Sequence, residues 1–106
     1  MNYTVRFAPE VADQLDALCR YIASSASPTV AADYVDSIVA HCEGLAVFPH
    51  RGTMRDDIRP GLRISSYKKR AMIATFVDDE AQQLTILGIF YGGQDYDTIL
   101  SGSGTA

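Results

Sequence analysis

Hydrophobic and polar positions alternate at the start of the chain, where Tyr3, Val5 and Phe7 are separated by polar residues. This period of two is typical of a strand with one buried face. Pro9 and Glu10 then mark a helix start, because proline suits the first helical position and the helix dipole favours an acidic first turn. The predicted helix carries one apolar stripe at helical spacing, formed by Val11, Leu15, Leu18 and Ile22.

A second helix is predicted after a short polar break at residues 24–28. Ser27 is a suitable N-cap and Pro28 a suitable first helical residue, and the apolar periodicity continues to about Glu43. Because the break is short, the two helices are expected to form an antiparallel hairpin. The residues predicted to face inward are Ala31, Tyr34, Val35, Ile38, Val39, Cys42 and Leu45.

The pattern changes to that of strands from Gly61 onward, after a charged loop predicted from Met54 to Pro60. Residues 62–67 form an alternating pattern, with Leu62, Ile64 and Ser66 on one face of the predicted strand and Arg63, Ser65 and Tyr67 on the other. Residues 71–77 are apolar at nearly every position, which predicts that this second segment is a central strand covered on both faces. A polar turn at residues 78–82 precedes a last strand. In that strand, simple alternation places Leu84, Ile86, Gly88 and Phe90 on one face, and Thr85, Leu87, Ile89 and Tyr91 on the other.

The element order predicts an α+β fold, β-α-α-β-β-β, with a helix hairpin packed on a small curved, mainly antiparallel sheet. Residues 1–100 are expected to form one domain, since 106 residues is close to the commonest domain size, and residues 101–106 a flexible C-terminal tail. Two helices cover only part of such a sheet. The apolar surface left over predicts a protein partner.

Three further properties narrow the class of protein. No apolar run approaches the roughly 20 residues needed to cross a bilayer, and residues 1–7 read as a strand rather than a signal peptide, so a cytoplasmic protein is expected. Cys19 and Cys42 lie on the apolar stripes of the two helices. In an antiparallel hairpin they are offset by roughly 13 Å at about 1.5 Å per residue. That exceeds the span of a disulfide, about 7 Å between Cα atoms, so both thiols are expected to be free.

Positive charge is concentrated in one segment, residues 51–70, which holds seven basic and two acidic residues for a formal charge of +5. The other 86 residues hold two basic and eleven acidic ones, for a charge of −9. The overall acidity argues against direct, sequence-specific nucleic-acid binding. The local cluster predicts docking of one anionic surface or segment, although a solvated loop and hairpin face has the same composition.

No strong catalytic constellation is found in the chain. His41 and Cys42 are adjacent on a helix, so their side chains diverge by about 100° and cannot share a metal. His50 is expected to shape a turn or to lie in solvent, and the acid pairs at 56–57 and 78–79 are expected to be solvated turn residues. Neither a metal nor a cofactor is expected. One enzymatic alternative survives, a metal-independent ribonuclease. Its candidate groups are Arg63, Lys68, Lys69 and Arg70 with Tyr67 or Tyr91.

In order and spacing, several segments resemble the ParE/RelE superfamily of toxins from type II toxin–antitoxin systems, across residues 3–100. These segments are YTVRFAPE at 3–10, AADY at 31–34, FPHRG at 48–52, PGLR at 60–63 and IFYGGQDY at 89–96. The stretch from Leu45 to Arg63 is more similar to ParE, whose members poison DNA gyrase, than to RelE, whose members cleave messenger RNA on the ribosome. The C-terminal segment departs from both branches. Tyr91 stands where histidine is usual, and Gly93 and Gln94 where arginines are usual.

The resemblance implies a non-enzymatic gyrase inhibitor held silent by a ParD-like antitoxin, whose acidic segment folds onto the toxin. Its expected antitoxin-binding residues are Arg59, Arg63, Tyr67, Lys68 and Arg70, and its possible target-binding residues are Tyr91, Gln94, Asp95 and Tyr96. The alternatives are a RelE-type ribonuclease using Lys68, Arg70 and Tyr91, and a toxin fold that now serves only as a binding module.

Overall fold

Two helices follow the first strand, as the sequence predicts. The computed structural model describes residues 2–68 and 71–91. Strand β1 spans Thr4–Phe7, helix α1 spans Pro9–Ser25 and helix α2 spans Pro28–Gly44. The Ser27 hydroxyl oxygen accepts a hydrogen bond from the backbone N–H of Val30 at 3.1 Å, which caps α2. The predicted helix starts and the serine cap are therefore confirmed.

The remaining strands complete one five-stranded sheet in the order β1-β5-β4-β3-β2. They are β2 at Thr53–Met54, β3 at Leu62–Tyr67, β4 at Ala71–Asp78 and β5 at Gln83–Tyr91. Strand β1 runs parallel to β5, and every other neighbouring pair is antiparallel. The α+β fold with a helix hairpin is confirmed. Strand β2 was not predicted, because two residues are too few to show alternation.

The main core lies between the helix hairpin and one face of the sheet. Both helices contribute buried side chains, and the central strands β4 and β5 supply the opposing layer. Fully or almost fully buried members of this core are Val11, Leu18, Ile38, Cys42, Ile73, Leu84, Ile86 and Ile89. Burial of a Leu or Ile side chain contributes roughly 1.5–3 kcal/mol, so this layer is the main source of folding free energy.

A smaller apolar cluster lies on the other face of the sheet and consists of Leu62, Ile64, Ala74 and Phe90. Ile58, Met72 and Leu87 pack against it and are half-buried, and Phe76 remains 41% exposed. Strand β4 is therefore covered on both faces, as predicted. The cover on this second face is incomplete.

A bulge in β5 corrects the predicted alternation of that strand. Ala74 pairs with Gly88 while Thr75 pairs with Ile86, so Leu87 has no partner in the ladder. The extra residue reverses the side-chain direction that follows. Ile89 therefore joins Ile86 in the core under the helices, and Phe90 lies in the second cluster. The prediction that Phe90 shares a face with Leu84 and Ile86 was wrong, since strict alternation cannot anticipate an inserted residue.

Cys19 and Cys42 are both free, as predicted. Cys42 is fully buried, and burial raises the pKa of its thiol to about 12, with the Glu43 carboxylate adding to the shift. Cys19 is half-buried at the border of the same core. Within residues 2–68 and 71–91, neither helix has the length and apolar character needed to cross a membrane.

Candidate partner-binding surface

The basic residues that were predicted to bind an antitoxin and that the structure describes are divided between two regions of the surface. Arg59 is exposed in the loop between β2 and β3, where its backbone N–H donates to the Arg55 carbonyl at 3.2 Å. With Pro60, Phe76 and Leu87 it lines a shallow pocket of about 200 Å³. This pocket adjoins the second apolar cluster, so Arg59 lies apart from the basic residues near α2.

The loop that carries Arg59 is held by its own acidic residues. Arg55 and Asp57 form a two-point ion pair, with contacts of 2.9 and 2.8 Å, and this hydrogen bonding lowers the pKa of Asp57. The Asp56 carboxylate accepts a hydrogen bond from the Gly61 N–H at 2.8 Å. Gly61 has a φ of +81° and lies under the Phe76 ring. The acid pair at 56–57 is exposed, as expected, and it also closes the turn.

Arg63 makes a hydrogen bond within the protein at the surface. Its side chain is half-buried, and its Nη1 donates to the carbonyl oxygen of His50 at 2.9 Å. The guanidinium therefore fixes the segment that follows α2. Its charge still lies close to Asp79, where it contributes to the lowered pKa of that carboxyl.

Tyr67 is the centre of an aromatic cluster between β3 and α2. Its ring lies 5.7 Å from the ring of Tyr34 and 4.9 Å from that of His41, centroid to centroid. The Tyr34 hydroxyl donates to the Tyr67 carbonyl at 3.4 Å. Lys68 places its Nζ 5.4 Å from the centroid of the Tyr67 ring, within cation–π range. The structure thus brings the predicted residues Tyr67 and Lys68 together.

A groove of about 590 Å³ opens beside this cluster. We call it the α2–β3 groove and define it by the residues His41, Arg51, Ser65, Ser66, Tyr67 and Lys68. Arg51 and Lys68 are exposed at its rim, and His41 and Tyr67 are half-buried in its wall. His41 was not predicted as a site residue. The sequence does contain an indication of its position, because Tyr34 and His41 are seven positions apart and therefore lie on the same face of α2.

His41 has an unusual environment for a polar side chain. Its Nε2 is buried and has no hydrogen-bond partner among the described residues. Burial lowers the pKa of the imidazole, and the neighbouring positive charge of Arg51 lowers it further. An unpaired buried polar group costs on the order of 1–3 kcal/mol. The wall of the groove therefore contains a polar atom whose hydrogen-bonding capacity is unused.

A second polar cluster joins the N-terminal segment to two turns. The Tyr3 hydroxyl donates to Oδ1 of Asp79 at 2.7 Å, and Nε2 of His50 lies 2.7 Å from the same oxygen. Hydrogen bonds from Tyr3 and then His50 lower the pKa of Asp79, whereas the bond to Asp79 raises the pKa of Tyr3. His50 is half exposed and bonds to the turn between β4 and β5, so it combines the two expected roles. Asp79 is 65% exposed, as expected of a solvated turn residue, and it also anchors this cluster.

This cluster holds the loop that follows α2, and the loop presents apolar side chains to solvent. Phe48 is 68% exposed and Val47 is 56% exposed. Together with Pro49, His50 and Arg51 they line a surface pocket of about 490 Å³. Exposed apolar side chains next to a basic residue are typical of a protein-binding surface.

The predicted target-binding residues lie mostly outside the described part of the chain. Gln94, Asp95 and Tyr96 fall within residues 92–106, and Arg70 of the predicted antitoxin site falls within residues 69–70. Tyr91 is described. Its ring lies 4.9 Å from that of Tyr21, and its side chain is half-buried against the core under the helices.

Solved structures of two toxin–antitoxin systems contain a chain with a similar fold. A chain of the chromosomal ParDE system from P. aeruginosa matches with a TM-score of 0.72 and 21% identity, covering 84% of this chain and 95% of that one. A chain of the RelBE2 complex from Mycobacterium tuberculosis matches with a TM-score of 0.63 and 20% identity, covering 89% and 95%. At these identities the likeness concerns the fold. No curated protein sequence matches the chain.

The family comparison is more specific. Residues 5–96 match the family described as the ParE toxin of the type II toxin–antitoxin system parDE. The chain belongs to this family, and the resemblance inferred from the sequence segments is confirmed.

Proposed function

We propose that this protein is a ParE-type toxin that poisons DNA gyrase in the cytoplasm and is neutralised by tight binding of a ParD-like antitoxin. The observation that carries the proposal is the family match over residues 5–96, which includes both helices and all of the strands except the first residue of β1. The toxin acts by binding in this proposal, and catalyses no reaction.

The distribution of cationic side chains supports a binding mode of action. A metal-independent ribonuclease needs several cationic groups aimed at one phosphate. Among the described residues, Arg63 donates to a backbone carbonyl and Arg55 is paired with Asp57. Arg51 and Lys68 share the α2–β3 groove, but Arg59 lines a different pocket. The cluster on the sheet face opposite the helices is formed by aliphatic and aromatic side chains.

Two surfaces support a protein partner. The second apolar cluster is incompletely covered, with Phe76 exposed beside Arg59. On the α2 side, Tyr67, Lys68 and the exposed Arg51 provide aromatic and positively charged surface. An acidic segment that folds on binding suits both, since it adds apolar cover and opposite charge. We assign antitoxin binding to Arg59, Arg63, Tyr67, Lys68 and Arg70, and gyrase contact to Tyr91 and residues 94–96.

A cleavage-trapping assay tests the proposed target. Purified protein is incubated with DNA gyrase and supercoiled plasmid, and cleaved DNA is trapped with detergent and protease. Linear plasmid that depends on the protein is the expected result, and heat-denatured protein is the control. Intact plasmid with unimpaired supercoiling, from protein shown to be folded, would overturn the gyrase assignment. Cleavage of messenger RNA in a translating extract would then identify a RelE-type ribonuclease instead.

A further inference from the structure

We propose that the α2–β3 groove binds an extended acidic peptide segment, with one carboxylate held between Arg51 and the wall formed by His41 and Tyr67. This inference deepens the proposed function, because it rests on a partner that presents an acidic segment, and it names the place where that segment is recognised. Neither His41 nor Arg51 belongs to the site predicted from the sequence.

The first argument is charge. Arg51 and Lys68 are exposed at the rim, and within residues 2–68 and 71–91 neither forms an ion pair with an acidic side chain. Two positive charges without a partner on one small surface favour an anion there. Arg51 in particular has the planar geometry to hold a carboxylate through two hydrogen bonds.

The second argument is the unused hydrogen-bonding capacity of His41. Its buried Nε2 lies in the wall of the groove without a partner, next to Arg51. A carboxylate that pairs with Arg51 brings an acceptor oxygen close to Nε2 of His41. In the tautomer that carries its proton on Nε2, His41 can donate a hydrogen bond to that oxygen. Because Nε2 is closed to solvent, the rim of the groove has to move before a carboxylate can reach it. The exposed Arg51 side chain belongs to this rim, and an anion attracts its positive charge.

The third argument distinguishes a peptide from a free phosphate. Strand β2 pairs only with Arg63 and Ile64 of β3, through Met54 and Thr53. Beyond them, no described strand pairs with the outer edge of β3 from Ser65 to Tyr67, and that edge lines the groove. An open strand edge is a template for an extended peptide, which adds as a further strand.

The short strand β2 leaves this edge open. Gly52 has a φ of +102°, and a Cβ there would lie 2.9 Å from the carbonyl oxygen of Ile64. Only glycine therefore fits at this position, directly after Arg51 and before β2. Strand β2 begins at Thr53, opposite Ile64, so it does not extend over Ser66 and Tyr67.

An NMR titration tests the proposal directly. The chain has two histidines, His41 and His50, so the imidazole signals are readily assigned with a His50→Ala variant. The probe is the peptide acetyl-Thr-Glu-Val-Glu-Thr-amide, compared with the same peptide carrying Gln in place of Glu. The expected result is saturable displacement of the His41 signals by the Glu peptide, with binding at least tenfold weaker for the Gln peptide.

Variants and competing probes separate the alternatives. Arg51→Gln is expected to weaken binding of the Glu peptide at least tenfold, while Arg6→Gln, a matched exposed arginine on strand β1 at the other edge of the sheet, leaves it unchanged. Backbone N-methylation of the peptide is expected to abolish binding, because it removes the strand-pairing N–H groups. Equal binding of Glu and Gln peptides, or no displacement of His41, would overturn the proposal.

Inorganic phosphate serves as the other anion. If phosphate moves the His41 signals with higher affinity than the peptide, the groove is a phosphate site, and the peptide assignment is wrong. The titration needs neither gyrase nor an antitoxin. A negative cleavage-trapping assay with a positive titration would therefore refute gyrase as the target and support the groove as a peptide site. Gyrase-dependent cleavage with a negative titration would support the target and refute the peptide site.

Discussion

His50 and Asp79 are 29 positions apart in the sequence and are joined by a contact of 2.7 Å between Nε2 and Oδ1. The Tyr3 hydroxyl bonds to the same carboxylate oxygen, and Arg63 binds the backbone carbonyl of His50. The loop after α2 is thus attached to strand β1, to β3 and to the turn between β4 and β5. Because this loop also carries Arg51, the attachment determines where one side of the α2–β3 groove lies.

Replacing Asp79 with Asn is expected to reduce stability at neutral pH and to have less effect in acid. The pKa of Asp79 is lowered in the folded protein from its ordinary 3.8 by the bonds from Tyr3 and His50. The Asp79 carboxylate therefore contributes to the free energy of unfolding at pH values above its pKa in the unfolded chain. That contribution is lost as the pH falls through its pKa in the folded protein. The free energy of unfolding of the unmodified protein and of the Asp79→Asn variant is measured by urea unfolding at pH 7 and near pH 3. Asp13→Asn, at an exposed position of helix α1, is the control. An equal loss for Asp79→Asn at both pH values would contradict the assignment.

Three glycine substitutions should differ in a defined order. Gly52→Ala is expected to be the most harmful, since its Cβ meets the Ile64 carbonyl oxygen at 2.9 Å and its φ is +102°. Gly61→Ala shares the positive φ, but its Cβ meets the Phe76 ring, which is partly exposed and can move. Gly44→Ala, with open space around it, should be neutral or slightly stabilising. The midpoints of urea unfolding give the order of the three variants. Placing an alanine in the left-handed conformation costs roughly 1–2 kcal/mol by itself.

The two thiols should differ in reactivity. Cys42 is fully buried with a pKa of about 12, so almost none of it is thiolate at pH 8, whereas Cys19 is half-buried. Native protein treated with iodoacetamide at pH 8 is expected to acquire one label, on Cys19, as determined by peptide mass spectrometry. Both should react in denaturant. Faster labelling of Cys42 in the native protein would show that the hairpin opens locally.

Charge reversal tests the proposed antitoxin surface. Replacing Arg63, Lys68 and Arg70 together with Glu is expected to weaken the antitoxin complex tenfold or more, measured by titration calorimetry. Because Arg63 also holds the His50 carbonyl, Lys68→Glu alone is the cleaner variant, with Arg20→Glu on helix α1 as the control. Unchanged affinity of the triple variant, with the fold verified by circular dichroism, would remove these residues from the interface.

Much of the fold follows from local signals in the sequence. Ser27 and Pro28 mark the start of α2 through a hydrogen bond three residues away, and the helical stripe from Val11 to Ile22 needs only its own spacing. The bulge at Leu87 could not be predicted, because it depends on the register between β4 and β5. Strand β2 likewise exists only through its pairing with β3.

The candidate site was less predictable than the fold, since its contacts are between distant segments. Arg63 was expected to bind an antitoxin, and the structure adds a contact that the sequence did not indicate, from its side chain to the His50 carbonyl, 13 positions away. The sequence relates His41 only to its neighbours on the helix, such as Cys42, whereas its position beside Tyr67 depends on how β3 packs against α2. Charge concentration located the basic segment. It could not show that Arg51 and Lys68 share a groove while Arg59 lies elsewhere.

The pairing of β1 with β5 has a consequence for synthesis on the ribosome. Residues 4–7 are made before both helices and the other strands, but their neighbour in the sheet is strand β5, residues 83–91. Closing so long a loop delays the β1–β5 ladder until both helices and strands β2 to β4 have been translated. The core under the helices includes Leu84, Ile86 and Ile89 of β5, so a nascent chain completes that core only after β5 has left the exit tunnel.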